Sequence, residues 1–293
     1  MLYLLIVSLI WAFSFGLIKG NLVSLDSNFV AFTRLLISLL IFLPFLKIKN
    51  LSRDSIIKLV LIGAIQFGIM YTLYIYAFQF LDAYEVVLFT ILTPIYISAI
   101  NDLLQKNFHP FYFLTAILSV IGAAIIVNHE ITSHEIIFGF CIIQISNLSF
   151  AFGQVYYKNV MKNLGTVKDS DIFALLYLGA VGITFLISLF TIELDNLSMS
   201  SSQIFTLFYL GVIASGLGFF LWNYGVRKTN IGNTAIFNNL KIPLGILVSI
   251  VFFDEVVNIS DLFIGGLIII SALVINEYQL NKRVFNTNDE REK

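Results

Sequence analysis

Apolar residues fill stretches of about 20 positions along almost the whole chain, and short polar breaks separate them. A helix of about 20 apolar residues is long enough to cross a bilayer, and the stretches lack the two-residue alternation of an outer-membrane barrel. The pattern predicts ten transmembrane helices, at residues 2–19, 28–46, 57–79, 84–104, 110–128, 136–157, 171–192, 203–226, 231–252 and 262–280. The polar residues 281–293 are expected to form a disordered tail.

Composition supports an all-α integral membrane protein. Hydrophobic residues make up 58% of the chain and charged residues 12%, whereas about a quarter of the residues in soluble domains are charged. The single cysteine, Cys141, rules out an internal disulfide. Residues 1–18 have no basic start, so a cleavable signal peptide is not expected.

Basic residues collect on one side of this predicted topology. If the N-terminus is cytoplasmic, all of the 17 Lys and Arg except Lys19, Arg34 and Lys241 lie in or beside inner loops or in the tail. Because Lys and Arg resist translocation, this bias predicts that both termini are cytoplasmic in a bacterial-type inner membrane. Residues 281–293 are then a cytoplasmic tail.

The two halves of the chain also resemble each other. The segment from Trp11 to Lys19 aligns with the segment from Phe150 to Lys158. A second aligned set pairs Gly63, Ile65, Gly68, Leu73, Tyr76 and Pro94, in order, with Gly211, Ile213, Gly216, Leu221, Tyr224 and Pro243. Each unit has five helices, an odd number, so the second copy enters the membrane from the opposite face. The sequence therefore predicts two inverted repeats, residues 1–130 and 135–280, with a substrate site near the midplane between them.

These features resemble the EamA-type members of the drug/metabolite transporter superfamily. The resemblance is carried by the tryptophan of the first helix, the run Trp222-Asn-Tyr-Gly225, the run from Pro243 to Glu255, and the glycines of the tenth helix. The first copy departs from the pattern, because Lys106 stands where the second copy has Glu255. The resemblance implies a ten-helix secondary transporter with helices five and ten at the periphery, and export as the direction.

The segment AIFNNLKIPLGIL places a charge where a membrane span should be apolar. Lys241 lies about 15 Å into the ninth helix at 1.5 Å per residue, near the midplane. Thr234 and Asn238 share its helical face, and Pro243 interrupts the hydrogen-bond ladder. Lys241 is therefore either a ligand group in a wet cavity or a structural tether that bonds to carbonyls or amides of a neighbouring helix.

Other polar and aromatic residues share helical faces with the expected cavity wall. Arg34, the second cation within a span, either snorkels to the outer interface or lies at the cavity mouth. The faces group Trp11 with Phe15, Gln66 with Met70 and Tyr74, Asn147 with Ala151 and Gln154, and Ser215 with Phe219, Trp222 and Asn223. The predicted substrate-binding residues are Lys241, Asn238, Trp222, Asn223, Trp11, Tyr74, Gln154 and Arg34.

The distribution of acids indicates the charge of the substrate. Asp82, Glu85, Asp102 and Glu277 lie near helix ends, and no Asp or Glu lies mid-span. A midplane cation without an acid favours a small polar substrate with an anionic group, such as an amino acid or another carboxylate. Uptake or exchange of nucleotide-like or phosphate-bearing metabolites is the nearest alternative, and a lipid-carrier flippase is a further one.

Motifs of other functional classes are weak. His129 and His134 lack the i, i+4 spacing of a helical zinc site, so residues 129–135 are expected to form an outer loop. No nucleophile–base pair, phosphate-binding loop or nucleic-acid patch stands out, so no enzyme activity, metal or cofactor is expected. With no ATP-binding domain, transport must use a coupling ion or an exchange substrate. The oligomeric state is left open.

Overall fold

The computed structural model describes the chain except for residues 23, 50, 82–85, 87–88, 127–133, 166, 192–198, 254–258 and 290–293. Most of the described residues are helical, and none of them belongs to a strand. The main helices are α1 (Leu2–Asn21), α2 (Ser27–Phe42), α3 (Arg53–Ala77), α4 (Thr93–Gln105), α5 (Pro110–Ile126), α6 (His134–Leu164), α7 (Asp169–Thr191), α8 (Ser201–Lys228), α9 (Ile231–Phe253) and α10 (Ile259–Asp289).

Two of these helices contain a wider, π-helical segment. The π segment of α3 spans Ala64–Ile69, and that of α8 spans Leu210–Leu217. Such segments are rare and occur frequently at functional sites. Short 3₁₀ turns extend α2 through Leu43–Phe45 and precede α4 at Thr90–Leu92.

Several helices have the dimensions of membrane spans. By length and composition, six segments among the described residues are long and apolar enough to cross a bilayer: Ser27–Phe45, Arg53–Ala77, Ile136–Leu164, Asp169–Thr191, Ser201–Lys228 and Ile259–Gln279. Leu2–Ile18 and Pro110–Ile125 are shorter apolar helices. Large exposed side chains on these helices, such as Phe190 and Phe205, suit contact with lipid.

The helices pack in matching pairs. α1 packs against α8 and α9, and α6 packs against α3 and α4. α2 packs against α8, whereas α7 packs against α3. The last contact is very close, because a Cβ atom added to Gly63 would lie 1.7 Å from the carbonyl oxygen of Leu176. Small residues permit this kind of approach between membrane helices.

One sequence expectation about the tail is wrong. α10 continues to Asp289, so the backbone of residues 281–289 is helical rather than disordered. The segment contains neither Gly nor Pro, and nothing in it interrupts a helix that is already formed. The predictions for Asp82, Glu85, Glu255 and residues 129–133 concern positions outside the described residues.

Candidate substrate cavity

A cavity lies between the two halves of the chain, among α1, α3, α6, α8 and α9. Its lining residues are Trp11, Ser14, Ile18, Met70, Tyr71, Tyr74, Thr90, Ser146, Asn147, Phe150, Phe219 and Lys241. It holds about 580 Å³ of empty space, including the part that opens to solvent. The mixture of apolar walls with a few polar groups is typical of small-molecule sites.

Lys241 is the charged residue of this lining. Its side chain is 8% exposed, and it makes no hydrogen bond or ion pair with any described residue. None of the described lining residues is Asp or Glu. Lys241 therefore lacks the carbonyl or amide partner that a structural tether would need. A buried charge without a partner is unfavourable, so this position favours binding of an anion.

Arg34 lies behind the cavity wall and is completely buried. Its Nη2 donates to the hydroxyl of Tyr71, and its Nε donates to Ser215 Oγ at 3.3 Å. Snorkelling to the interface is therefore wrong, and Arg34 does not line the cavity mouth either. The reason is that α2 packs between α7 and α8, so a side chain at this depth is surrounded by protein. Its influence on the cavity passes through Tyr71.

Four aromatic rings pack together at one side of the cavity, and we call them the aromatic layer: Trp11, Phe150 and Phe219, which line the cavity, and Trp222. The ring centroid of Trp11 lies 5.8 Å from that of Phe150, 5.6 Å from that of Phe219 and 4.9 Å from that of Trp222. Trp11 Nε1 donates to the carbonyl of Ala214 in the π segment of α8, at 2.9 Å. Trp222 is fully buried behind Trp11 and does not reach the cavity.

Three predicted ligand residues also lie outside the cavity. Gln154, Asn223 and Asn238 are completely buried and bond within the protein. Together with Gln66, which donates to Asn223 Oδ1 at 3.1 Å, they form a set that we call the amide cluster. The prediction that they line this cavity is wrong, because the aromatic layer lies between them and the empty space.

The sequence prediction therefore separates into two groups. Of the predicted residues, the cavity brings together Lys241, Trp11 and Tyr74. The predicted helical faces also supply Met70, Asn147 and Phe219. Residues that sequence reasoning missed are Ser14, Ile18, Tyr71, Thr90, Ser146 and Phe150. Helical spacing carried a usable signal for three of them, because Ser14 follows Trp11 by three residues, Tyr71 precedes Tyr74 by three, and Phe150 follows Asn147 by three.

Comparison with known proteins decides the family. The model of the EamA-like transporter family matches residues 1–128 and 137–277. The chain belongs to the EamA-like transporter family. This EamA-like protein is thus a multi-pass membrane transporter of a small molecule and not an enzyme.

Curated relatives of this EamA-like protein match over nearly its whole length. The biotin transporter of Salmonella typhimurium is 35% identical over 293 residues, which cover 99% of this chain and 97% of that protein. The biotin transporter of Escherichia coli strain K12 is 34% identical with the same coverage. The probable biotin transporter of Pseudomonas aeruginosa is 34% identical over 278 residues, covering 94% of this chain and 97% of that one.

A solved crystal structure has a similar fold. It superposes with a TM-score of 0.74 at 13% sequence identity, covering 92% of this chain and 94% of the other. At this identity the likeness concerns the fold alone.

Proposed function

We propose that this protein is a secondary transporter of biotin that works by alternating access and pairs the biotin carboxylate with Lys241. One observation carries the proposal: Lys241 lines an aromatic cavity with no partner among the described residues. Biotin has a single carboxylate at the end of an apolar chain, so one cation suits its charge. The names of the full-length relatives support biotin over other carboxylates.

Tyr71 is the second polar group suited to an anion. Its hydroxyl oxygen accepts from Arg34 and from Ser215 Oγ, the latter at 3.4 Å, so its own O–H can donate into the cavity. The guanidinium behind this hydroxyl makes it a better donor, since hydrogen bonds near a charge are stronger. Apolar walls such as Met70 and Phe219 suit the alkyl chain of the substrate.

The same proposal includes ten transmembrane helices arranged as two inverted five-helix repeats. The pairwise helix contacts support it, since α1 on α8 and α9 corresponds to α6 on α3 and α4. Aligned residues also meet each other: the rings of Trp11 and Phe150 lie 5.8 Å apart. Residues related by a two-fold axis can touch only near that axis. The two stretches matched by the family model support division near residues 1–130 and 135–280.

The π segments support the repeat independently. Each contains an aligned glycine, Gly68 in α3 and Gly216 in α8. Gly68 packs against α7 at Ala180 and Ile183, and Gly216 packs against α2 at Ser38 and Ile41. Each π segment thus packs against the second helix of the other unit, α7 for α3 and α2 for α8, which is the exchange that the repeat predicts.

Orientation, energy source and direction complete the proposal. The basic loops put both termini in the cytoplasm and the protein in the inner membrane. The cavity then extends from the midplane toward Ile18 and Tyr74, near the outer ends of α1 and α3. An ion gradient or an exchange substrate supplies the energy. Export is the predicted direction, and initial rates of biotin transport into and out of vesicles test it.

Counterflow in liposomes tests the substrate. Purified protein is placed in vesicles loaded with unlabelled biotin, and labelled biotin is added outside. We expect transient accumulation of label with the wild-type protein and none with empty vesicles. Parallel vesicles loaded with amino acids or phosphate-bearing metabolites test the other substrates. If one of those exchanges and biotin does not, the biotin assignment is wrong.

A further inference from the structure

Each member of the amide cluster lies one helical turn from a residue that lines the cavity. The pairs are Gln66 with Met70 on α3, Gln154 with Phe150 on α6, Asn223 with Phe219 on α8, and Asn238 with Lys241 on α9. The cluster thus lies directly behind the aromatic layer, on helices from both halves of the chain. All four side chains are completely buried.

Unambiguous partners fix the orientation of the amides on α6 and α9. The indole N–H of Trp222 can only donate, and it bonds to Gln154 Oε1 at 2.9 Å. The amide atom of Gln154 that faces Trp222 is therefore the oxygen, and Nε2 lies on the opposite side. A backbone carbonyl can only accept, so the 2.8 Å bond to Thr234 fixes Asn238 Nδ2 as the donor. The oxygen of Asn238 therefore points elsewhere.

The amides on α3 and α8 are fixed in the same way. Asn223 Nδ2 donates to the carbonyl of Phe219 at 3.0 Å, which leaves Asn223 Oδ1 to accept from Gln66 Nε2 at 3.1 Å. Gln66 Oε1 then faces away from this bond. The position of Gln66 is also sterically confined, because a Cβ atom added to Gly153 would lie 2.1 Å from Gln66 Cβ.

Three atoms of the cluster have no hydrogen-bond partner among the described residues: Gln66 Oε1, Gln154 Nε2 and Asn238 Oδ1. Two of them are acceptors and one is a donor. Buried amide atoms are nearly always paired, and each unpaired one is costly and calls for an explanation. A partner that arrives in another conformation of a transporter would satisfy them.

We propose that the amide cluster is a second, closed substrate subsite, which binds the urea group of the substrate when the aromatic layer parts. A cyclic urea has two N–H donors and one carbonyl acceptor, the complement of the two acceptors and one donor left unpaired here. The inference rests on the proposed function, because biotin carries both a carboxylate and a urea. Asn238 precedes Lys241 by three residues, about 4.5 Å along the helix. A ligand anchored at Lys241 therefore reaches the cluster once Trp11 and Trp222 separate.

Asn238→Leu is the cleanest variant for the test. Leucine has the same branched shape and the same number of side-chain heavy atoms as asparagine but no polar atom, and Gln154 Oε1 loses only its long contact with Asn238 and keeps Trp222 as its donor. Asn239→Leu is the matched control, since Asn239 is the neighbouring residue, is equally buried and also has an unpaired Oδ1. Its Nδ2 bonds to the carbonyl of Ile91, away from the amide cluster.

The assay compares two inhibitors of labelled-biotin counterflow. One is unlabelled biotin, and the other is 5-(thiolan-2-yl)pentanoate, which keeps the carboxylate, chain and sulfur ring but lacks the urea. The half-inhibition concentration of the analogue divided by that of biotin measures how strongly the urea is recognised, and we call this quotient the ratio. We expect Asn238→Leu to reduce the ratio about fivefold, as for one neutral hydrogen bond. Asn239→Leu should leave the ratio unchanged.

The outcomes separate this inference from the proposed function. If wild-type protein does not exchange biotin, the proposed function fails. If it does, and Asn238→Leu keeps the wild-type ratio, the subsite is wrong while the transporter stands. Should Asn238→Leu not yield folded protein, Asn238→Ala, which adds no bulk, takes its place with the same expected loss. An equal loss of ratio in Asn239→Leu also contradicts the subsite.

Discussion

The guanidinium carbon of Arg34 lies 4.5 Å from the centroid of the Tyr71 ring, and Nη2 of the same group donates to the Tyr71 hydroxyl. Arg34 thus holds both the face and the hydroxyl of one side chain that lines the cavity. No Asp or Glu among the described residues pairs with Arg34. The positive charge is stabilised by phenol and hydroxyl groups, and it remains available to strengthen the Tyr71 hydroxyl as a donor at the cavity wall.

Tyr71→Phe removes that donor and keeps the ring. We expect the half-saturating concentration of biotin to rise about 5- to 20-fold, as when a hydrogen bond to a charged group is lost, at about 1.5 kcal/mol. Arg34→Lys should have a similar effect, because a compact ammonium cannot reproduce the planar fork that reaches Tyr71 and Ser215 together. Concentration dependence of counterflow measures both. Wild-type behaviour of Tyr71→Phe would show that the hydroxyl does not contact the substrate.

Lys241→Met keeps the apolar stem and removes the charge. We expect transport to be abolished, because no other cation lines the described part of the cavity. Membrane insertion should be intact or improved, since a charge at mid-helix costs about 2.5–3.5 kcal/mol on insertion scales. Lys241→Arg should keep partial activity at most. Counterflow and thermal unfolding in detergent are measured on the same preparations.

A different pattern would support the tether. If Lys241→Met lowers the unfolding temperature by many degrees while the remaining folded protein exchanges biotin normally, Lys241 serves the fold and not the substrate.

Gly179→Ala tests the close contact between α3 and α7. A Cβ atom at Gly179 would lie 1.8 Å from the carbonyl oxygen of Val60, so the helices must move apart. We expect a loss of stability of about 1–3 kcal/mol, as for other overpacked sites. Gly182→Ala is the control on the same helix, because nothing lies within 4 Å of its added Cβ. Equal unfolding temperatures for the two variants would contradict the contact.

The predicted orientation can be tested with a reporter fused after residue 293. We expect an enzyme that is active only in the cytoplasm to function at this position, and a reporter that needs export to be silent. A second fusion after residue 130, between the predicted repeats, should give the opposite result, because five helices precede it. The same activity at both positions would contradict the odd number of spans in the first repeat.

The sequence predicts the all-helical membrane class for a physical reason. The length of an apolar run and the thickness of a bilayer determine together where a helix can cross. It also identifies Lys241, because a charge in such a run is conspicuous. The complete burial of the Arg34 side chain could not be predicted, since burial against α7 and α8 depends on how the helices pack and not on the depth of one residue.

Helical faces predict which residues share a side but not where along the helix a cavity ends. Asn238 and Lys241 share a face, yet only Lys241 reaches the cavity, because the aromatic layer closes the space one turn away. The π segment adds a second source of error. Ideal α-helical spacing puts Gln66 on one face with Met70 and Tyr74, whereas the wider turn at Ala64–Ile69 changes the register between Gln66 and the other two residues.

The chain contains two tryptophans, and both belong to the aromatic layer, where their ring centroids lie 4.9 Å apart. Intrinsic ultraviolet fluorescence of the protein therefore originates largely from a single place, the barrier between the cavity and the amide cluster. Emission wavelength and quenching report directly on whether that barrier is dry and stacked or wet and separated. The unmodified protein carries its own optical probe, and stopped-flow mixing with ligand can time the movement of the barrier without any attached dye.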